Sequence, residues 1–161
     1  MACDSTPSNI GADNALKVAD TLNAFPADDF ALYVKTKNFH WHVSGPHFRD
    51  YHLLLDDQAS QIFGVTDQIA ERVRRTGNTT LRSIGDITLR QRLKDNNSEY
   101  VAPKAMLTEL RDDNVTLVKA LRESKAIIDE ANDNATSGLI DGWTDQAEER
   151  AWFLFEATRT D

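Results

Sequence analysis

The chain has 161 residues, 40% hydrophobic and 27% charged, with 18 Lys and Arg against 26 Asp and Glu for a net charge of −8. That length suits one domain, and the acidic balance disfavours polyanions as default partners while favouring cations. No apolar run approaches the ~20 residues of a membrane helix, MACDSTPSNIGADN lacks the basic start and apolar stretch of a secretory signal, and Cys3 as the sole cysteine excludes an intrachain disulfide, so a reducing cytoplasm is the expected location.

Residues 1–13 read as a flexible segment and 14–161 as one helical domain. From Asn14 to Val43 apolar residues recur at helical spacing: Val18, Leu22, Phe25, Leu32, Phe39. Pro26 either kinks this helix or starts a second one at its first turn. "SGP" at 44–46 breaks the pattern. A second long helix covers His47 to Arg75, with Gly77 placed as its C-cap glycine. Residues 77–103 form a long connection with a short helix near 84–93. A third helix runs from Pro103, at its first position, to about Ala131. "NDNATSG" at 132–138 is a turn, and a fourth helix runs from about Ser137 to Thr158, with Trp152 expected in the core. Four long helices joined by one long crossover give an all-α, ferritin-like four-helix bundle.

All four histidines, His40, His42, His47 and His52, lie within "KNFHWHVSGPHFRDYHLLLDD" at 37–57. Histidine and carboxylate together suit divalent iron, zinc and manganese. With His52 as origin on the second long helix, Asp56, Asp67 and Glu71 fall at about 40°, 60° and 100° of rotation. Apolar Phe63 shares that face, so the acids there call for a cation or hydrogen bonds. His52 and Asp56 are one turn apart, as are Asp67 and Glu71. The two pairs, however, are separated by about 16 Å of helix, which metal–ligand bonds of about 2.0–2.2 Å cannot span. No E-x-x-H motif is available to complete either pair within the chain. Two copies paired antiparallel about a two-fold axis would bring His52 and Asp56 of one against Asp67 and Glu71 of the other, making two equivalent sites. His40 could add a further nitrogen.

"TKNFHWHVSGPHFRDYHLLLDDQ…TDQIAER" resembles the signature of the Dps miniferritins, starvation-induced iron-storage proteins of prokaryotes. The pattern is HW, a His twelve residues on, an Asp four later, and D-x-x-x-E eleven further along: His40, His52, Asp56, Asp67 and Glu71, with no departure. Lys37 matches a lysine usual near the family's site. The likeness extends over about 140 residues, to the "AWFLFE" ending at Glu156.

The resemblance implies a hollow spherical dodecamer of 23 symmetry, with dinuclear iron sites at the two-fold interfaces. His40, His52 and Asp56 would come from one chain, Asp67 and Glu71 from its partner. It implies a ferroxidase that oxidises Fe(II), preferably with hydrogen peroxide and otherwise with dioxygen, stores the ferric mineral and so protects against oxidative damage. Zinc or another divalent cation could occupy the same ligands. Trp41 would be either a trap for stray oxidising equivalents or an interface packing residue. His42 and His47 stand outside the five-ligand pattern and read as surface or loop-ordering groups. Asp129, Asp133 and Asp141 are the candidates for an iron-entry pore, although Asn134 and Gly138 stand where some relatives have Asp. Asp57 is a candidate for mineral nucleation, with a solvated helix face as its alternative.

DNA binding in the family usually uses a Lys/Arg-rich tail that neutralises phosphates. Residues 1–16 contain no Lys or Arg, so weak or absent DNA binding is expected. A nucleoid-associated, DNA-coating protein with little iron turnover is the alternative function, and a helical oligomer binding zinc without turnover is a third.

Overall fold

The computed structural model describes residues 9–159. Its elements are α1 (Ala12–Leu22), α2 (Ala24–His42), α3 (Phe48–Arg75), α4 (Ile84–Arg90), α5 (Pro103–Glu130) and α6 (Asn134–Thr158), with no strand among the described residues. The first eight residues of the expected flexible segment lie outside the described residues, and Ala12 and Asp13 already belong to α1.

Each boundary has a local cause. Between α1 and α2, Asn23 keeps a helical backbone (φ −65°, ψ −14°) and donates its N–H to Ala19 O. Pro26 then stands in the first turn of α2, where its missing N–H is not needed, so of the two readings of Pro26 the restart is the one observed. α3 stops at Arg75, and Gly77, at φ 86°, donates to Arg74 O at 3.0 Å. α4 ends three residues short of expectation. The N–H groups of Arg92 and Leu93 donate to the buried Asp28 carboxylate (2.5 and 3.2 Å) instead of extending the helix. α6 begins three residues early. Asp133 caps it, accepting from Thr136 N at 3.0 Å, so the "turn" at 132–138 contains a helix start.

The pairs Lys37–Asp56, His40–His52 and Phe30–Phe63 run in opposite order along α2 and α3, so these helices are antiparallel neighbours. Lys125–Ser137 and Arg122–Glu148 set α5 against α6 in the same way. The core between the pairs is filled by Phe25, Leu32 and Phe39 of α2, Leu55, Ile62 and Ile69 of α3, Leu107 and Leu110 of α5, and Ile140 and Leu154 of α6. Trp152 is not in this core. The buried positions of α6 include Trp143, Ala147, Arg150 and Leu154, spaced at four, three and four residues; Trp152 falls off that stripe and is 58% exposed.

Candidate metal centre

The connection from α2 to α3 brings the histidines together. α2 ends at His42, Val43 turns extended (ψ 142°), and Gly45 takes φ 104°, a conformation open to glycine at little strain. α3 then starts at Phe48 and runs back along α2.

His40 and His52 stack face to face, with ring centroids 3.8 Å apart at 20°. Their hydrogen bonds are reciprocal. His40 Nδ1 lies 2.8 Å from His52 O, and His52 Nδ1 lies 2.8 Å from His40 O. A carbonyl oxygen only accepts, so each Nδ1 carries its hydrogen, and Nε2 is the ring nitrogen left to face a metal. His40 is buried and His52 half-buried, with the Phe48 ring 5.0 Å from that of His52.

One turn along α3, Asp56 Oδ1 lies 3.9 Å from His40 Nε2 and accepts from Lys37 Nζ at 2.7 Å. The Lys37 hydrogen bond holds the Asp56 carboxyl below its ordinary range, against a smaller opposing effect of burial. Lys37 Nζ also lies 5.9 Å from the ring centroid of Trp41, which is 62% exposed.

Asp67 and Glu71 sit farther along α3, both exposed, with Glu71 paired to Arg75 at 2.7 Å. Among the described residues, no three His, Cys, Asp or Glu side chains gather as a metal site within the subunit. Phe63, between the two half-sites, is 53% exposed and touches the rings of Phe30 and Tyr33.

His42 Nδ1 bonds Asn38 O within its own helix, and His47 precedes α3 with its ring 5.6 Å from that of Tyr51. Of the three carboxylates expected at a pore, Asp133 is 3% exposed. Both its oxygens are engaged by Arg72 Nη2 (2.8 and 2.9 Å) and by Thr136, an arrangement that builds the α6 cap. The spacing gave no sign of the Arg72 partner, which lies 61 residues away, whereas the cap itself is local, with Asp at the N-cap position three residues before Thr136. Asp129 accepts from Ser137 Oγ, and Asp141 pairs with Lys125 at 2.9 Å; both are exposed. Asp57 is exposed and lines a cleft of about 170 Å3 with Gln61, Glu149, Arg150 and Phe153.

The family profile described as "Ferritin-like domain" matches residues 19–160. A DNA protection during starvation protein of Brevibacillus brevis is 31% identical over 137 residues, covering 85% of this chain and 91% of that one. This chain belongs to the Dps family of ferritin-like proteins. It is also similar to an uncharacterised low-temperature-induced protein of a Nostoc species, 33% identical over 91% of this chain and 83% of the other. Among solved structures, the Dps homologue of Halobacterium salinarum superposes with a TM-score of 0.91 at 26% identity, covering 100% of this chain and 91% of that one. DpsC of Streptomyces coelicolor, at 24% identity, shares the fold with a TM-score of 0.95 over 99% of this chain and 93% of its own. No described helix of this Dps-family chain is long and apolar enough to cross a membrane.

Proposed function

We propose that this Dps-family chain is the subunit of an iron-storing ferroxidase that takes Fe(II) as substrate at sites shared between two copies. The observation that carries this reading is the His40–His52 clamp. Two stacked imidazoles have their Nδ1 atoms tied to backbone carbonyls, His40 Nε2 lies 3.9 Å from Asp56, and among the described residues no group of three or more His, Cys, Asp or Glu within the subunit forms a metal site. Asp67 and Glu71 of a two-fold partner complete the set. Phe63, exposed on the same face of α3, gives that partner an apolar surface to cover.

The residues divide the work by chemistry. Carboxylates bind the hard cation and its ferric product, while the imidazoles fix position and prefer the softer ferrous ion. Lys37 keeps Asp56 ionised and in place. Hydrogen peroxide accepts two electrons, one from each of two Fe(II) ions held close together. Its O–O bond breaks to give two oxygens at the level of water, and no hydroxyl radical leaves the site. The subunits assemble as a dodecameric shell of 23 symmetry in the cytoplasm and retain the ferric mineral inside, with dioxygen as the slower oxidant. DNA binding is weak or absent.

Fe(II) followed by peroxide is added to the purified protein, and ferric absorbance is followed. Oxidation faster than in buffer, and lost in His52→Ala, is expected; a rate equal to buffer would sink the ferroxidase reading. Zinc binding without any iron turnover would instead favour a helical oligomer that only sequesters cations.

A further inference from the structure

The bundle interior holds titratable groups that the proposed iron site does not use, and one of them stands without a full set of partners. Asp29, on α2, is 5% exposed, and its Oδ2 has no hydrogen-bond partner in the protein. It lines a cavity of about 10 Å3, the volume of about one water-sized sphere. Otherwise the cavity walls are apolar (among them Phe25, Leu117 and Trp143) except for Arg150 of α6. Arg150 is itself buried and committed elsewhere, donating from Nε to Asn114 Oδ1 and from Nη1 to Gln61 Oε1, both at 2.8 Å. It also lines the surface cleft beside Asp57, so the same side chain borders both the cavity and the cleft.

We propose that Asp29 is a proton-operated element of the bundle: protonated, it lets the helices close around a neutral acid, and deprotonated, it draws water past Arg150 into the cavity and loosens the packing of the helices that wall it.

The charges facing Asp29 are Arg150 from α6, Asp28 from its own helix and Arg92 from the crossover connection; its α3 and α5 neighbours in the cavity wall are apolar. Burial pushes the Asp29 carboxyl up to about 7, overcoming the pull of Arg150. A carboxyl raised in the folded state binds a proton that the unfolded chain has released. Stability therefore falls as pH climbs from the usual carboxylate range through about 7, and levels off above it.

The test compares thermal unfolding of the assembled full chain with that of Asp29→Asn between about pH 6 and pH 8.5, at one subunit concentration. The expected result is a midpoint that drops with pH in the wild type, with a variant that is flatter and higher at the alkaline end; parallel curves would overturn the proposal. Should the variant not assemble, isotope-edited infrared spectra of wild-type chain labelled at the Asp carboxyls decide it. A protonated-acid C=O band present at about pH 6 and gone by about pH 8.5 supports the proposal, and its absence at both overturns it.

Discussion

His40 and His52 each hydrogen-bond the other's backbone carbonyl through Nδ1, at 2.8 Å in both directions. The two rings thereby fix each other's tautomer and join the end of α2 to the start of α3. Each ring is thus also a staple, and removing either breaks one of the two bonds that tie α2 to α3.

The proposed sharing of the site between two copies has a stoichiometric consequence. His52→Ala/Asp56→Ala and Asp67→Ala/Glu71→Ala should each be inactive as pure shells. Co-assembled at equal amounts, random pairing leaves about one quarter of the sites with all ligands intact. Peroxide-driven iron oxidation at roughly that fraction of the wild-type rate is the expected outcome. No recovery on mixing would mean that each chain keeps its own site.

Lys37 should set the acid limit of the proposed reaction. Its hydrogen bond to Asp56 depresses that carboxyl, so Lys37→Met should let Asp56 protonate at higher pH. The acid limb of the pH–rate profile should then move upward, while the alkaline side stays in place. An unmoved acid limb would show that Asp56 protonation does not limit activity.

Asp133 is a stability residue. Asp133→Ala removes the α6 cap and leaves the Arg72 guanidinium, only 15% exposed, without its partner. A loss of about 2–4 kcal/mol is expected in chemical denaturation. Burial alone would raise the Asp133 carboxyl, but the hydrogen bonds from Arg72 and Thr136 outweigh it and hold it low. Its contribution is therefore present above the ordinary carboxylate range and fades as pH falls through the depressed value. Wild type and variant should converge in acid.

Binding to duplex DNA should be weak even at low salt, because residues 1–16 bring no cation to the phosphates. A gel shift showing tight complexes that dissolve with added salt would overturn this and restore a DNA-coating role.

The sequence by itself determined the helical periods, the glycine and proline stops and the spacing of the five candidate ligands. It also placed Asp67 and Glu71 out of reach of His52, because rise and rotation per residue are properties of any α-helix. It misplaced the end of α4, because Asp28–Arg92 joins residues more than sixty positions apart, and the start of α6, where the local Asp133 cap on Thr136 N reads in sequence as part of a polar turn. It put Trp152 inside, since hydrophobicity alone does not say which stripe of α6 meets its neighbours. Only the tertiary structure decided that His40 and His52 face each other's carbonyls, and that Asp29 stands unpartnered in the bundle near a guanidinium bound to other groups. Both depend on how one helix lies against another, and side-chain packing sets that distance, not the order of residues along either helix.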